Sequence, residues 1–417
     1  MQKMFKPIWK IAKNKWKCPL HNMCSYLAMF PPALPNYFIE QFTQPGDIVM
    51  DPFSGRGTVL LEAARCGRVP VGNDLNPLAY ILSYSKVHLP AFQDIKDRIE
   101  FLENNYVAPD ISQEPEDIKM LYDLDVTLPQ LLYLKENLDK DDRVDVFILG
   151  ALMGIMHGPL RKDGTSANLS ISMPNTFSMS PNYVRNYIHD KKLTKPKQNV
   201  FDCLKDKIQK IYPFDEELTE GEVFNENALN FSGNNHENLN GRVKLIITSP
   251  PYLKVINYGK YNWIRLWLLN ESSKGVDNTL KIKSAYHDGS TLQLSDDLKL
   301  EQYLEFMRDV IRVWEDMLTD DGIAVIVIGD VDDHKGKYIK LAKKVWDYIK
   351  DETTLHLVAI VKDEIDGNSK VTKIWGQQRK GNATKVDRLL ILSKTNQRIR
   401  PNIKRNIEKT FLEKYGG

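Results

Sequence analysis

Short apolar runs alternate with glycine-rich bends and amphipathic segments near the start of the chain. Residues 48–50 predict a buried strand, and a bend that contains two glycines follows it. Residues 58–64 are helix formers, and Gly67 stands where a helix C terminus favours glycine. A second strand is predicted at 69–72, and Asp74 follows it. Strand, glycine bend, helix, strand and acid, in this order, open a doubly wound α/β sheet.

The region between residues 95 and 220 has a different pattern. Apolar positions recur at helical spacing, with few strand signals between them, in IKDRIEFLENN, EDIKMLYDLDVTLPQLLYLKENL and DVFILGALMGIMHG. The stretch that follows, SISMPNTFSMSPNYVRNYIHDKKLTKPK, is rich in Ser, Asn, Pro and aromatic residues and is basic at its end. We therefore expect a mostly helical insertion that splits the sheet.

Strand signals resume after the insertion, at residues 221–224, 243–247 and 322–329. A helix is predicted at 300–318, between the last two of them. Two later apolar runs predict a pair of strands that closes the sheet as an antiparallel hairpin, and they lie at 355–361 and 388–392. The predicted fold is thus a doubly wound α/β sheet with an antiparallel last hairpin and a helical insertion.

Composition places the 417-residue chain among ordinary globular proteins, with 42% hydrophobic and 27% charged residues. The sequence lacks an apolar run of roughly 18 residues, and its N terminus lacks the apolar core of a signal peptide. Four cysteines are too few to cross-link a chain of this size, so we expect the reducing cytoplasm. Because the net charge is only +2, any contact with nucleic acid needs a local basic patch.

Cys18, His21 and Cys24 lie close enough in the sequence to suggest a metal site. A second ligand pair at the spacing of a zinc finger does not occur in the sequence. We therefore expect no metal.

The glycine bend, DPFSGRGT, spans residues 51–58 and contains Gly55 and Gly57. Glycine there permits positive φ and lets a ligand approach the backbone without meeting a Cβ. A P-loop is excluded because Gly-Lys-Ser/Thr does not follow. Asp74 comes 17 residues after Gly57, at the end of the second strand, where a carboxylate can accept both hydroxyls of a ribose. The pattern predicts a site for a nucleoside cofactor.

NAD and S-adenosylmethionine both satisfy this geometry, and two residues separate them. Leu60 stands where the dinucleotide fingerprint G-x-G-x-x-G has its third glycine. Asp51, at the mouth of the bend, would repel a pyrophosphate but would suit the cationic amino acid end of S-adenosylmethionine. We therefore predict S-adenosylmethionine as the cofactor.

The sequence TSPPY occupies residues 248–252, directly after the predicted strand at 243–247. Together with DPFSGRGT and the late strand DRLLILSK, it resembles the S-adenosylmethionine-dependent amino-methyltransferases of DNA, which modify N4 of cytosine or N6 of adenine. The resemblance covers roughly residues 21–90 and 221–395 and includes HNMCSYLAMFPPALPNYFIEQF before the glycine bend. The resemblance implies a Rossmann-like class I methyltransferase fold. It also implies that the protein acts on double-stranded DNA.

The resemblance also implies two sets of site residues. The cofactor would contact Phe30, Asp51, Pro52, Phe53, Gly55, Gly57, Thr58, Asp74, Leu75 and Asn227. The family usually has an acid at the last of these positions, so here an amide would replace the carboxylate, with Glu226 beside it. The catalytic loop would consist of Ser249, Pro250, Pro251 and Tyr252.

The chemistry of an exocyclic amine explains the proline pair. The nitrogen lone pair is delocalised into the base, so the amine is a poor nucleophile until fixed acceptors bond its N–H groups and draw it towards tetrahedral geometry. Pro250 and Pro251 fix φ and remove competing donors, which leaves carbonyl groups to accept. Ser249 is held extended by the proline after it and can aim its hydroxyl at the amine. Tyr252 can stack on a base flipped out of the duplex.

Methylation at carbon 5 of cytosine would need a cysteine nucleophile beside a proline. The one neighbouring pair, Cys18 with Pro19, is reversed and remote in sequence. Within the family, a serine before the proline pair is commoner among N4-cytosine enzymes, and Asp or Asn is commoner among N6-adenine enzymes. We therefore expect cytosine N4, with adenine N6 as the alternative.

Two segments are candidates for target recognition, because cations mixed with aromatic residues are typical of phosphate anchors and base readers. The end of the helical insertion contains Arg185, Lys191, Lys192, Lys195 and Lys197. The segment after the proline loop contains Lys254, Lys260 and Arg265.

We expect four regions: a cofactor-binding half at 1–94, the insertion and candidate target-recognition region at 95–220, a catalytic half at 221–395, and a basic tail at 396–417. The predicted function is sequence-specific DNA methylation in a restriction-modification or defence context, with a cognate restriction endonuclease as partner. Methylation of RNA bases and a non-catalytic DNA-binding subunit remain alternatives.

Overall fold

The computed structural model describes residues 18–26, 31–158, 168–173, 179–231, 236–251, 258–279, 281–283, 291–293, 300–332, 338–364 and 383–395. Four predicted features lie outside the described residues, and they are Phe30, Tyr252, Lys254 and the tail at 396–417.

One large sheet organises the molecule. The strands are β1 (Ile48–Asp51), β2 (Val69–Asn73), β3 (Glu222–Phe224), β4 (Val243–Thr248), β5 (Lys281–Lys283), β6 (Thr291–Gln293), β7 (Leu318–Asp332), β8 (Tyr338–Ile339), β9 (His356–Glu364) and β10 (Ala383–Ser393). The order across the sheet is β3-β2-β1-β4-β7-β10-β9, and the short strand β8 extends it beside β7. A separate antiparallel pair is formed by β5 and β6.

The direction of the strands confirms the predicted architecture. Strands β3, β2, β1, β4 and β7 are mutually parallel, whereas β10 runs antiparallel to both β7 and β9. From β1 the chain moves outward through β2 and β3, and it then returns to the other side of β1 as β4. The strand order thus reverses between β1 and β4, and ligands of open α/β sheets bind at the carboxyl ends of strands at such a point.

Helices cover both faces of the sheet. They are α1 (Ala33–Phe42), α2 (Thr58–Arg65), α3 (Pro77–Val87), α4 (Phe92–Asn104), α5 (Glu116–Lys119), α6 (Thr127–Asn137), α7 (Arg143–Met153), α8 (Pro181–Lys191), α9 (Val200–Ile211), α10 (Tyr258–Tyr261), α11 (Trp263–Leu268), α12 (Ser273–Thr279), α13 (Leu300–Glu315) and α14 (Leu341–Ile349). Single turns of 3-10 helix occupy Pro19–Asn22 and Glu237–Leu239. In the described part of the chain, none of these helices is long and apolar enough to cross a membrane.

Two hydrophobic layers hold the helices to the sheet, because successive side chains of a strand point to opposite faces. Val49 of β1 packs with α1 and α2 on one face. Its neighbour Met50 packs with α13 and α14 on the other face. Both side chains are fully buried, so β1 is the centre of a three-layer arrangement.

The helical insertion has its own core. Helices α4, α6, α7 and α9 pack with α3 and α11, and the buried side chains that join them include Leu82, Ile99, Leu131, Phe147 and Phe201. Within the described residues from 95 to 220 there is no strand, as the apolar spacing predicts. Because α3 directly follows β2, this core rests against the cofactor-binding half of the sheet.

Several predicted boundaries differ from the structure, and three short strands were not predicted. Strands β7 and β10 begin at Leu318 and Ala383, before the predicted 322 and 388. Helix α13 ends at Glu315, three residues before the predicted end, because Leu318 pairs with Val243 of β4 and so opens β7. The strands β5, β6 and β8 have two or three residues each, which is too short for a periodic pattern to indicate them.

Candidate cofactor and catalytic site

The glycine bend and the proline loop begin at neighbouring strand ends. Val49 and Met50 of β1 pair in parallel with Leu245 and Ile246 of β4. The last residues of the two strands also meet, because the hydroxyl of Thr248 donates a hydrogen bond of 2.7 Å to Asp51 Oδ1. Both residues are buried, with exposures of 2% or less. A ligand bound above the glycine bend would therefore face the proline loop.

The glycine bend is held in a left-handed conformation. Gly55 has a φ of +52° and Gly57 a φ of +73°, values that only glycine adopts without strain. A Cβ on Gly57 would lie 3.0 Å from Cα of Ser83 in α3, so the bend is pressed against that helix. The hydroxyl of Ser83 donates to Ser54 Oγ at 2.9 Å, which fixes the bend further. The positive φ values and the contact with Ser83 explain why glycine is needed at these positions of the bend.

Asp74 connects the end of β2 to the glycine bend. Its carboxylate accepts the backbone N–H of Gly55 and the backbone N–H of Asn76, both at 2.9 Å. Burial raises the pKa of Asp74 to about 6, although the two N–H groups act in the opposite direction. Each carboxylate oxygen keeps a further lone pair, which can accept a ribose hydroxyl.

Asp51 is the second acid of the site. Burial raises its pKa to about 7, and the negative charge of Asp74 adds to this effect. The hydroxyl of Thr248 and the backbone N–H of Phe53, at 3.1 Å, lower the pKa in part. A buried carboxyl group that titrates near neutrality favours a cationic ligand, because a cation restores its ordinary acidity.

The segment after β3 is tied to the end of β2. Asn73 donates to the carbonyl of Glu226 at 3.1 Å and accepts the backbone N–H of the same residue at 3.0 Å. Asn225 donates to the carbonyl of Asp74 at 2.6 Å. The predicted contact Asn227 follows, and its Oδ1 already accepts the backbone N–H of Leu229 at 3.0 Å. The amide N–H groups of Asn227 and the second lone pair of its Oδ1 would then be the groups that meet a cofactor.

The remaining predicted cofactor residues lie around the bend. Pro52 is buried, and its carbonyl accepts a long hydrogen bond of 3.4 Å from Asn73. Phe53 is half-buried and packs against Trp314, with ring centroids 5.9 Å apart. Thr58, the first residue of α2, is buried, and Leu75 is half-buried.

Tyr26 is a site residue that sequence reasoning missed. Its ring lies 3.4 Å from the position of a Cβ on Gly55, and its hydroxyl accepts a hydrogen bond of 3.1 Å from Asn76. Asn76 also caps α3 through the backbone N–H of Leu78. The signal was present, because Tyr26 belongs to the HNMCSYLAMF segment from which only Phe30 was chosen.

The segment that carries Tyr26 is anchored to helix α2 and to the glycine bend through His21. His21 Nε2 lies 2.7 Å from Glu62 Oε1 in α2, and Arg56 of the glycine bend donates to the carbonyl of His21 at 2.9 Å. His21 is thus an anchor to the cofactor half of the fold. Among the described residues, no group of three or more His, Cys, Asp or Glu could hold a metal ion.

The predicted catalytic loop is described as far as Pro251. Ser249 and Pro251 are half-buried and Pro250 is buried, while Tyr252 lies outside the described residues. Ser249 and the first carbonyls of the loop therefore continue directly from Thr248 at the carboxyl end of β4.

The candidates for DNA contact differ in their surroundings. Lys260 in α10 is exposed, as are Lys191 and Lys192 at the end of α8. Arg185 is exposed and forms an ion pair with Asp117. Lys254 lies outside the described residues.

Arg265 is a correction to the sequence analysis. The side chain is 1% exposed. Its guanidinium donates to the carbonyl of Met153 at 3.2 Å, to Asn262 Oδ1 at 3.0 Å and to Ser25 Oγ at 2.9 Å. A buried cation that bonds internal acceptors is not accessible to a DNA phosphate, so its prediction as a DNA contact is wrong.

A profile of the DNA methylase family matches residues 2–84 and 243–414, which together exceed half of the chain. The chain belongs to the N4/N6 DNA methylase family. The matched segments contain the glycine bend, Asp74 and the proline loop, and most of the helical insertion falls between them.

Several curated relatives match shorter segments. The Type II methyltransferase M.MjaII of Methanocaldococcus jannaschii is 31% identical over 98 residues, which is 22% of this chain and 18% of that protein. M.PvuII of Proteus hauseri is 37% identical over 60 residues, or 14% of this chain and 18% of that protein. The matched segments thus span about a fifth of each relative's length.

Similarity to solved structures is weak. An S-adenosylmethionine-dependent methyltransferase of Methanosarcina mazei has a TM-score of 0.31 at 9% identity, over 89% of this chain and 100% of that one. A modification subunit of a putative type I restriction enzyme from Vibrio vulnificus has a TM-score of 0.32 at 11% identity, over 93% of this chain and 47% of that one. The class I methyltransferase fold is therefore assigned from the family and the strand order.

For this member of the family the cofactor is S-adenosylmethionine, and the residues at the site fit it. Gly55 and Gly57 allow the positive φ values that shape the bend. Asp74 offers carboxylate acceptors to a ribose, and Asp51 offers an acid to a cationic amino group. When bound, the cofactor supplies a methyl group that is already activated on a sulfonium sulfur.

Proposed function

We propose that this protein methylates DNA on an exocyclic amino group of a base flipped out of the duplex, with N4 of cytosine as the target atom. The observation that carries the proposal is the hydrogen bond between Thr248 and Asp51, which joins the first residue of TSPPY to the first residue of DPFSGRGT. An amine held by the proline loop would then face a methyl donor held by the glycine bend.

The residues of the proline loop would activate the amine by hydrogen bonding. The hydroxyl of Ser249 and the carbonyl of Pro250 are the acceptors that this chain offers, and Pro251 keeps competing N–H donors away. With both N–H groups bonded, the lone pair leaves the plane of the base and points along the axis of transfer. As the nitrogen gains the methyl group it loses one N–H proton, which passes to solvent along a hydrogen bond that it already makes.

Ser249 is the reason for choosing cytosine N4. The choice depends on the resemblance to the family, in which serine at this position is commoner among N4-cytosine enzymes. The hydroxyl itself can accept one hydrogen bond from the amine while it donates another to a ring nitrogen, and both cytosine N3 and adenine N1 provide such an acceptor. If the protein formed N6-methyladenine, the target atom would be N6 of adenine instead of N4 of cytosine.

The decisive experiment is to incubate the purified protein with tritiated S-adenosylmethionine and unmodified duplex DNA, and to analyse the nucleosides by mass spectrometry. We expect N4-methylcytosine, and we expect the double variant Ser249→Ala, Tyr252→Ala to lose at least about 99% of the rate. Total RNA serves as the competing substrate. Methylation of RNA alone, or an undiminished rate in the variant, would overturn the proposal.

The biological setting is part of the proposal. The names of the Type II relatives support a role in restriction-modification or defence, with a cognate restriction endonuclease that the methylated site resists. All four cysteines are free thiols, which supports action in the reducing cytoplasm. Methylome sequencing of cells that express the protein would give the recognised DNA site. Digestion of their DNA by a candidate restriction endonuclease would test whether the methylated site resists that enzyme.

A further inference from the structure

Helix α8, which the family profile does not cover, has an unusual outward face. Asn182, Tyr183 and Asn186 are exposed, and Tyr187 is half-buried. These residues follow helical spacing and lie on one side, whereas Val184 on the other side is 2% exposed and packs into the insertion core. The outward face of a solvated helix usually carries Lys and Glu. Here amides and aromatic rings take several of those positions, beside the exposed side chains of Arg185, His189 and Asp190.

The two tyrosines form an exposed aromatic platform. Their ring centroids are 6.1 Å apart and the ring planes differ by only 11°, so the rings stack in parallel. Tyr183 is 44% exposed, one of the few large hydrophobic side chains in the described part of the chain to be so open. A ring of this kind can contact the face of a base or the methyl group of thymine.

Basic residues gather at the C-terminal end of α8. Residues 181–197 contain five Lys or Arg and one Asp, a net charge of +4, whereas the whole chain carries only +2. Part of this charge is balanced, because Arg185 pairs with Asp117 and Lys197 lies 3.6 Å from Asp125. In the described part of the chain, Lys191 and Lys192 have no acidic partner within ion-pair distance.

The start of α8 is fixed to the segment that follows the proline loop. Trp263, the first residue of α11, donates its indole N–H to the carbonyl of Met179 at 2.7 Å. Trp263 follows Pro251 by 12 residues. The N terminus of α11 therefore connects the catalytic loop to the residue that directly precedes the N-cap of α8, Ser180.

We propose that α8 is the recognition helix of this protein, and that its Asn and Tyr face reads base edges beside the flipped base while Lys191 and Lys192 hold phosphates. The inference depends on the proposed function, since it assumes a duplex DNA substrate. Asn is a side chain suited to paired hydrogen bonds with adenine in the major groove, and Lys neutralises phosphates without sequence preference. Arg185 donates to Asn182 Oδ1 at 3.1 Å, so Asn186 is the amide of the pair that we assign to base reading.

The test first requires the recognised sequence, obtained by methylating a randomised duplex library with the wild-type protein and sequencing the modified molecules. In that library, Asn186→Ala should relax one position of the sequence, with discrimination reduced about 5- to 150-fold. The double variant Lys191→Gln, Lys192→Gln should keep the sequence and weaken binding to every duplex. It should also lower the slope of log affinity against log salt by about 2, or roughly 0.9 for each lysine.

Lys210→Gln is the matched control, because Lys210 is an exposed lysine on α9 of the same insertion and pairs with Asp206 at 3.6 Å. It should leave the salt slope unchanged. Lys191→Arg with Lys192→Arg should restore the slope, which separates phosphate contact from a loss of folding in the Gln variant.

An unchanged sequence preference in Asn186→Ala together with an unchanged salt slope in the lysine variant would overturn the recognition role of α8. The proposed function would still stand, because the wild-type protein would methylate DNA. Absence of DNA methylation by the wild-type protein would instead remove the proposed function itself.

Discussion

The hydroxyl of Thr248 donates to the carboxylate of Asp51 across 2.7 Å, although 197 residues separate the two in sequence. Each residue is the last of its strand, and each begins one of the two loops of the site. The bond is buried, so water cannot replace it when it is broken. Thr248 is therefore a positioning residue that sets the proline loop relative to the cofactor acid.

Replacement of this hydroxyl tests its role. Thr248→Val keeps the β-branched shape and removes the donor, which should cost about 1.5–3 kcal/mol of unfolding free energy at about pH 8, where the acceptor Asp51 is ionised. We also expect kcat to fall about tenfold or more, since a small displacement of the loop would misalign the amine with the methyl donor and slow methyl transfer. Melting curves and tritium transfer measure the two effects. Thr248→Ser keeps the hydroxyl and should retain most of both, and equal loss in Ser and Val would show that shape alone matters.

The raised pKa of Asp51 predicts a pH-dependent affinity for the cofactor. Because this pKa is about 7 without ligand, the acid is protonated in much of the protein below neutrality, and a cationic amino group favours only its ionised form. Affinity should therefore rise as the pH increases from about 6 to about 8, and binding near pH 7 should release a proton. Calorimetry in buffers of different ionisation enthalpy measures that proton. In Asp51→Asn the proton release should disappear.

The same shift predicts the sign of a stability change. The folded pKa of Asp51 lies above its ordinary value of 3.8, so the folded protein binds the proton more tightly than the unfolded chain. This contribution to stability is complete below about pH 4 and is lost as the pH rises through about 7. Relative to Asp51→Asn, the ligand-free wild type should become less stable between these values. If the difference in melting temperature between the wild type and Asp51→Asn stayed the same from about pH 4 to about pH 7, the raised pKa of Asp51 would be contradicted.

Local pattern was enough to predict the strands and helices of the core, the helical insertion and the last two strands, because each element depends on periodicity within a short window. The bond between Thr248 and Asp51 was beyond such reasoning, since it depends on β4 pairing with β1, and the two residues are 197 positions apart. Arg265 failed for a related reason. It lies between Ile264 and Leu266 in a largely buried helix. Two of its acceptors, the carbonyl of Met153 and the hydroxyl of Ser25, belong to segments that are distant in sequence.

Gly57 should tolerate no side chain. An alanine would need a φ of +73°, which costs about 1–2 kcal/mol, and its Cβ would approach Cα of Ser83 to 3.0 Å, a backbone contact that cannot yield cheaply. Gly57→Ala should therefore lower the melting temperature and weaken cofactor binding more than tenfold. Gly241→Ala is the matched control, because its φ of +65° is similar but no atom lies within 4 Å of the new Cβ. Equal effects of the two on cofactor binding would contradict a role for the Ser83 contact.

Asp74→Asn should separate ribose binding from loop structure. The carboxylate accepts the N–H of Gly55 with one oxygen and that of Asn76 with the other, whereas an amide offers only one oxygen and turns a donor towards the second N–H. One buried donor is then left unsatisfied, at about 1–3 kcal/mol, and one ribose acceptor is lost as well. We expect cofactor affinity, measured by calorimetry, to fall about 100-fold. Asp47→Asn, at the opposite end of β1, makes the same chemical change but keeps one oxygen for the backbone N–H of Gln44, and it should leave the affinity unchanged. If Asp74→Asn bound the cofactor as tightly as the wild type, the ribose would have to be held by other residues than Asp74.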